Sequence, residues 1–227
     1  MDLLSEYDVL GAFWVTVQLT FYSAVGALIW GTILAGMRVS PVPLMRGIGT
    51  VYVNVVRNTP LTLIIMGTSL GLYSTLGVVL TTKSDKDLTF LATNNFWLAV
   101  LGFVAYTGTF VCESLRSGIN TVPVGQAEAA RALGLKFTQT LGIVVLPQAF
   151  RAVIAPLASV LIALTKNTTV ASAIGVAEAA ALMASMIEFN SQYLFVIFGI
   201  IALGFVILTL PTGLLLGMVA KKVAVKR

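Results

Sequence analysis

The chain has 227 residues, of which 58% are hydrophobic and only 10% are charged, and its formal net charge is +5. Soluble domains carry about a quarter charged residues, so this composition excludes an ordinary soluble protein and indicates a bilayer protein. The chain has one cysteine, Cys112, and no histidine, which excludes disulfide frameworks, Cys/His metal sites and histidine-based catalysis. Its length fits one domain covering residues 1–227.

The first predicted membrane span covers about residues 13–37, an uncharged run long enough to cross the bilayer with some tilt. No basic residue precedes this run, and it is too long for the core of a signal peptide, so we expect it to be retained. Further apolar runs predict a second span at about 61–80 and a third at about 96–115.

A short helix is predicted after the third span, at about 124–133. Pro123 suits its first turn, alanines fill its interior, and Gly134 can adopt the left-handed conformation that ends a helix. Ala127, Ala130 and Gly134 share one side with almost no side-chain bulk, which would let another protein approach the backbone closely. A surface linker helix is the alternative.

The fourth predicted span covers about 147–166, with Pro147 in its first turn. The apolar stretch that follows, at about 168–186, is interrupted by Gly175 and Glu178. This stretch could be a further span, or an outer embedded helix that enters the bilayer and turns back.

Charge decides between these alternatives. With a last span at about 193–219, only three of the fourteen Lys and Arg residues fall on outer segments, namely Lys83, Lys86 and Lys166. This bias predicts five spans, with the N-terminus outside and the C-terminus in the cytoplasm. The short helix at 124–133 then lies in the cytoplasm between the third and fourth spans. A sixth span would place the basic C-terminal tail outside, so 168–186 is predicted as the outer embedded helix.

The sequence contains no catalytic constellation. It has no GxxxxGK[ST] motif to hold ATP phosphates, and its acidic residues are scattered rather than paired. We therefore expect no enzyme activity, no catalytic residue and no metal site on this chain. The net charge follows from topology and requires no nucleic-acid partner.

Residues 128–147 read EAARALGLKFTQTLGIVVLP, and this stretch resembles the EAA motif of ABC importer permeases. Val144 stands where that family usually has Ile, which is a conservative departure. The other motifs similar to the family's are VRNTPL at 56–61, ESLRSGI at 113–119, VPVGQ at 122–126, PQAFR at 147–151 and KNTT at 166–169. Together they resemble the polar amino acid group of these permeases, and most closely an actinobacterial glutamate uptake permease.

The resemblance implies an all-α type I importer fold in a bacterial cell membrane, with the 124–133 helix as the coupling helix. It implies a translocation path for a polar amino acid, here glutamate. The implied partners are a second permease subunit, paralogous or identical, an ATPase dimer and an extracytoplasmic amino acid binding protein. ATP and Mg would be bound by the ATPase, and no cofactor by this chain.

Two groups of residues are the candidate site. The residues expected to couple the chain to its ATPase are Gln126, Glu128, Ala129, Ala130, Arg131 and Gly134. The residues expected to lie along the substrate path are Thr165, Lys166, Asn167, Thr168 and Thr169, because a zwitterion in a bilayer needs polar partners. The alternative for Lys166 is an ion pair with Glu178 or Glu188, or extension towards the outer interface.

Other features have structural interpretations. Spacing by three residues predicts for Glu113 and Arg116 a mutual ion pair or anchoring at the inner interface, and allows Glu128 to pair with Arg131. Gly26, Gly31, Gly67 and Gly71 are expected to serve close helix packing rather than ligand binding.

Two other functions remain open. An ion-coupled carrier or channel subunit could also contain broken helices with embedded charges, but we detect no inverted repeat, and it would not need the cytoplasmic helix. A membrane scaffold that transports nothing is the third alternative.

Overall fold

The computed structural model describes residues 6–81 and 89–223, and every regular element in those ranges is helical. Lipid offers no partner for unpaired backbone groups, which favours helices that satisfy their own. In chain order the helices are α1 Val9–Arg38, α2 Pro43–Arg57, α3 Leu61–Thr75, α4 Phe90–Ile119, α5 Val124–Ala132, α6 Leu146–Ala152, α7 Ile154–Asn167, α8 Ala179–Phe189 and α9 Leu194–Val223.

Four helices of the described part are long and apolar enough to cross a membrane: Val9–Arg38, Phe90–Ile119, Ile154–Ile174 and Ser191–Leu215. The helix at the second predicted span is shorter, because α3 ends at Thr75 and Gly77 follows with a φ of +68°. The second part of α3, Gly67–Thr75, is π-helical. Lys83 and Lys86, used above for topology, lie outside the described residues.

α2 was not predicted from the sequence. It begins with Pro43, whose fixed φ suits a first helical turn, and it ends at Arg57 before Pro60 opens α3. Gly49 and Val53 are its buried residues, while much of its remaining surface is exposed.

In the structure, the helical segment at the fourth predicted span begins earlier than predicted and is interrupted. Helical structure begins at Phe137–Gln139 and continues through the π-helix Thr140–Val145 into α6, so Pro147 does not open it. The helix breaks at Val153, before Pro156, whose ring lacks a donor and crowds the carbonyl four residues earlier. The segment long enough to span is therefore Ile154–Ile174 rather than 147–166.

The predicted outer embedded helix at 168–186 is two helices in the structure. A 3₁₀ helix, Thr168–Ile174, ends at Gly175, which has a φ of +79°. Glu178 then caps the N-terminus of α8, accepting hydrogen bonds from the backbone N–H groups of Ala180 and Ala181. Glycine tolerates this left-handed backbone, so Gly175 is where the chain changes direction. No described helix long enough to span covers 168–186.

The chain forms two compact units. One contains Met1–Val25, Thr59–Val104 and Ala163–Pro211, and the other contains Gly26–Asn58, Ala105–Ile162 and Thr212–Arg227. For brevity we call them the first and the second unit. The long helices contribute residues to both.

In the first unit, α4 and α3 are in close contact at Gly102 of α4. A Cβ there would lie 2.7 Å from Cδ1 of Ile65 on α3. Asn95 of α4 donates a hydrogen bond to the Ile174 carbonyl at 2.7 Å, and Thr16 of α1 accepts one from the N–H of Ala179 at 3.3 Å. These bonds tie the segment around Gly175 to α1 and α4.

A buried apolar cluster holds the second unit together. α1 and α4 come so close that a Cβ on Gly31 would lie 2.6 Å from the Cβ of Val111, as expected for a packing glycine. Gly67 and Gly71 differ, since a Cβ on either would meet nothing within 4 Å. The cluster consists of Ala27, Leu34, Ala35, Val53, Val111, Cys112, Leu115 and Val153.

Candidate functional site

The short helix α5 ends in a glycine turn. Gly134 has a φ of +87°, a conformation that residues with a Cβ adopt only with strain. Its N–H donates to the Arg131 carbonyl at 2.9 Å, and the N–H of Leu135 donates to the Ala130 carbonyl at 3.2 Å. These two bonds satisfy carbonyls that the end of a helix would otherwise leave unpaired.

The side of α5 that faces outward differs from the predicted one. Ala130 is buried and Ala127 is half-buried, because α5 packs against the π-helix Thr140–Val145 of the same chain. The predicted small-residue side, with Ala127 and Ala130, is therefore covered by the chain itself. The outward-facing residues, here called the docking face, are Val124, Gly125, Glu128, Ala129 and Leu133.

The docking face has an apolar residue at each end. Val124 is 71% exposed and Leu133 is 84% exposed, while Glu128 and Ala129 lie between them. Arg131 is exposed as well, and the described ion pairs do not include the predicted pair of Glu128 with Arg131. Glu128 is thus exposed and takes part in none of the described ion pairs.

Gln126 is exposed, but its side chain also forms a hydrogen bond that connects α5 to α6. Nε2 of Gln148 donates to Oε1 of Gln126 at 2.5 Å and to the Val144 carbonyl at 2.8 Å. The π-helix between them also reaches α1, since a Cβ on Gly36 would be in ordinary contact with Leu141, at 3.4 Å. α5 is thus attached to the remainder of the second unit by a polar bond and by apolar packing. Sequence reasoning missed Gln148, although it lies in the PQAFR motif.

A second polar cluster joins three helices in the second unit. Glu113 of α4 pairs with Arg38, the last residue of α1, at 2.5 Å, and with Arg57, the last residue of α2, at 3.6 Å. The prediction that Glu113 pairs with Arg116 is therefore wrong. The Arg38 side chain is buried, with 7% of its surface exposed, whereas that of Arg57 is 41% exposed. Spacing along α4 could not reveal partners that come from other helices.

The predicted substrate-path residues divide into a buried and a surface group. Thr165 and Thr168 are buried, and the Thr168 hydroxyl donates to the Thr165 carbonyl at 2.8 Å. The Thr169 hydroxyl donates to the Lys166 carbonyl at 2.8 Å. Lys166 is exposed, and Asn167 and Thr169 are half-buried. Backbone carbonyls therefore occupy the hydroxyl hydrogens of Thr168 and Thr169, which leaves their oxygens as acceptors.

Lys166 has no ion pair with Glu178 or Glu188 in the described part of the chain. The carboxylate of Glu178 is fully buried and accepts two backbone hydrogen bonds at 2.9 Å instead. The Lys166 ammonium is therefore exposed beside the break between α7 and the 3₁₀ helix. Within residues 6–81 and 89–223, no group of three or more His, Cys, Asp or Glu side chains is arranged to hold a metal ion.

Comparison with known proteins gives consistent matches along the chain. The family described as "binding-protein-dependent transport system inner membrane component" matches residues 27–225. The glutamate transport system permease protein GluC of Corynebacterium efficiens is 61% identical over 97% of this chain and 96% of its own length. Its namesake from Corynebacterium glutamicum is 59% identical, with the same coverage of both chains.

A solved structure matches as well. A chain in the crystal structure of an amino acid ABC transporter with histidines has a TM-score of 0.76 and 25% identity, covering 94% of this chain and 93% of that one. The fold and the sequence thus agree over nearly the whole length, including the segment that carries α5 and the docking face. The chain belongs to the family of inner membrane components of binding-protein-dependent transport systems.

Proposed function

We propose that this chain is the membrane-spanning permease subunit of an ATP-driven importer of a polar amino acid, with glutamate as its substrate. The observation that carries this proposal is the 61% identity with the Corynebacterium efficiens glutamate permease, which extends over 97% of the chain. The match covers nearly the full length of both chains, which supports a shared function for the whole chain rather than for one segment of it. The translocation path would form between this subunit and a second permease, paralogous or identical.

We further propose five crossings in a single domain of residues 1–227: α1, α3, α4, α7 with its 3₁₀ continuation, and α9. α3 is the shortest of these: even at the α-helical rise its 15 residues would cover at most about 22 Å of the roughly 30 Å hydrocarbon thickness, and its π-helical part rises less per residue. The bias of Lys and Arg supports an outer N-terminus and a cytoplasmic C-terminus. α5 and its docking face then lie in the cytoplasm, where an ATPase dimer is accessible.

The docking face supports coupling to that ATPase. Val124 and Leu133 would enter apolar depressions of the partner, and Glu128 would pair with a basic residue there. The small side chain of Ala129 would leave room for the partner between Val124 and Leu133. Arg131 lies at the edge of the docking face.

Gln126, Ala130 and Gly134 act differently in this proposal. Gln126 and Ala130 hold α5 on its own chain, and Gly134 sets the direction in which the chain leaves the helix. ATP and Mg would be bound by the ATPase subunits, so hydrolysis would take place outside this chain, which itself is not an enzyme. An extracytoplasmic binding protein would deliver the substrate.

The substrate path is proposed to pass Lys166, Asn167 and Thr169. An acidic amino acid carries two carboxylates, and the exposed Lys166 ammonium would attract one of them, while the oxygen of Thr169 would accept a hydrogen bond from the substrate ammonium. Thr165 and Thr168 would support the break in the helix from its buried side.

Uptake by the reconstituted complex tests this proposal. Proteoliposomes that contain both permeases, the ATPase and the binding protein should accumulate labelled glutamate only with internal ATP. Unlabelled glutamate should compete more strongly than glutamine, aspartate, histidine or arginine. Another order of competition would reassign the substrate. Uptake that survives removal of the ATPase and depends on an ion gradient would instead identify an ion-coupled carrier.

A further inference from the structure

Helix α2 has a side that fixes it to the second unit. Val53 on this side is fully buried. The Tyr52 hydroxyl accepts a hydrogen bond from Nε1 of Trp30 on α1 at 3.0 Å and donates one to the Ala105 carbonyl of α4 at 3.1 Å. This side is therefore attached to two neighbouring helices and is not available to a ligand or partner.

A second side of α2 is apolar and exposed. Its four aliphatic side chains are each between 53% and 71% exposed, and we call them the apolar stripe: Leu44, Ile48, Val51 and Val55. Spacings of four, three and four residues align them along one line of the helix. An open apolar groove of about 880 Å³ runs beside the stripe, with Pro43 and Gly47 in its lining.

The third side of α2 is polar. Arg46, Thr50 and Asn54 follow one another at intervals of four residues, and α2 contains no acidic residue. At about 100° of rotation per residue, Arg46 lies roughly opposite Leu44 and Ile48 of the stripe, while Asn54 lies about 60° from Val51. Arg46 is exposed, so its guanidinium is accessible.

These three sides match a helix in the plane of the membrane surface. Such a helix buries an apolar side among acyl chains, while its basic side contacts anionic headgroups. α2 is not among the helices long and apolar enough to span. It also begins shortly after Arg38, where α1 ends. An arginine without acidic neighbours on the helix complements a lipid phosphate.

We propose that α2 lies at the cytoplasmic surface of the bilayer, with the apolar stripe among the acyl chains and Arg46 against anionic lipid phosphates. This inference rests on the topology under Proposed function, which places the end of α1 on the cytoplasmic side. The second permease subunit is the competing occupant of the stripe.

Spin labels on the assembled transporter test this placement. Cys112 is replaced by Ala, and single cysteines are introduced by Ile48→Cys and Val51→Cys on the stripe and by Asn54→Cys on the polar side as the matched control. None of these three side chains lies in the buried cluster, but Cys112 does, so the Cys112→Ala parent is first checked for assembly and transport. Collision rates with oxygen, which enters lipid, and with a water-soluble nickel chelate are measured in nanodiscs that contain phosphatidylglycerol.

The ratio of oxygen to nickel collisions should be several-fold higher at residues 48 and 51 than at residue 54. Immobilised labels with few collisions of either kind at 48 and 51 would mean that protein covers the stripe, and nickel collisions as frequent as at 54 would mean that water does. Either result overturns the proposal.

Two further experiments test separately the contact of Arg46 with lipid phosphate and the cytoplasmic location of α2. Exchanging phosphatidylglycerol for phosphatidylcholine should lower the ratio at residue 48 with Arg46 present, and should leave it unchanged after Arg46→Ala. An equal change in both backgrounds would refute the contact between Arg46 and phosphate. An impermeant maleimide should label Asn54→Cys from the cytoplasmic side alone. Labelling from outside would instead refute the proposed topology.

Discussion

Gln148 donates a hydrogen bond to Gln126 across 2.5 Å, and this bond joins the short helix α5 to α6. The two residues lie 22 positions apart, on either side of the glycine turn and the π-helix. If an ATPase displaces α5, this hydrogen bond would couple the displacement of α5 to that of α6.

Replacing either glutamine by alanine should weaken this link. A neutral hydrogen bond contributes about 0.5–1.5 kcal/mol, so we expect the complex to assemble but to hydrolyse more ATP for each substrate transported. The measurement is the ratio of ATP hydrolysed to glutamate imported in proteoliposomes. Gln126→Ala with Gln148→Ala should be no worse than Gln148→Ala alone, because both changes remove the shared bond and only Gln148→Ala also removes the bond to the Val144 carbonyl. Additive losses in the double variant would refute a shared role.

Ala129 and Ala130 are neighbours in α5, but Ala129 is exposed and Ala130 is buried, so they provide a matched pair. Ala129→Trp adds bulk to the exposed docking face, so we expect loss of transport and of ATPase co-purification while the permease keeps its melting temperature. Ala130→Trp adds bulk in a buried position, where overpacking costs about 1–3 kcal/mol, and should lower the melting temperature itself. Normal transport by Ala129→Trp would show that the ATPase docks elsewhere.

Gly134→Ala tests the turn that ends α5. Its φ of +87° is a conformation that costs a residue with a Cβ about 1–2 kcal/mol, although the added methyl would meet nothing within 4 Å. We therefore expect a lower melting temperature and weaker coupling of ATP hydrolysis to transport. Gly199→Ala is the control, since Gly199 lies within α9 with equally open surroundings, and alanine there should be neutral or stabilising. Equal behaviour of the two variants would exclude backbone strain as the cause.

Glu113→Gln should destabilise the second unit strongly. It leaves the buried Arg38 without its charged partner, and because Glu113 itself is 31% exposed we expect a cost of about 1–3 kcal/mol, that of an unsatisfied buried donor. Arg57→Ala removes the longer contact of 3.6 Å from a side chain that is 41% exposed, and should cost less than about 1 kcal/mol. The measurement is thermal denaturation of both variants in the same detergent. A larger loss for Arg57→Ala would reverse the assignment of Arg38 as the principal partner.

Lys166→Ala tests the proposed substrate path. If the ammonium attracts a carboxylate of glutamate, the variant should raise the KM for glutamate delivered by its binding protein and leave assembly unchanged. Lys222→Ala is the charge-matched control, because Lys222 is also exposed but lies near the end of α9. Unchanged KM and maximal rate for Lys166→Ala would remove this lysine from the path.

Several elements could be predicted because one local property determines them. The uncharged run at 13–37 indicated α1, and the alanine-rich stretch before Gly134 indicated α5. Gly175 signalled an interruption, since glycine is the residue that accepts a positive φ. The segment 168–186 forms two helices because the carboxylate of Glu178 caps the N-terminus of a new helix, α8.

Other features depend on packing between distant segments. Spacing along α4 suggested Arg116 as the partner of Glu113, but Arg38 and Arg57 arrive from the ends of two other helices. The outward side of α5 is likewise decided by the π-helix that covers Ala130. The extra residue per turn of a π-helix has no signature in apolar spacing, so the start of that segment at Phe137 was missed.

The start of α8 has a consequence for an acidic substrate. A helix N-terminus usually attracts anions through its unpaired N–H groups. Here Glu178 occupies the N–H groups of Ala180 and Ala181 with its carboxylate and that of Leu182 with its carbonyl, and Thr16 accepts from Ala179. The first turn is already saturated by the protein's own groups. The N-terminus of α8 therefore offers an acidic substrate no free N–H group among residues 179–182 to bind.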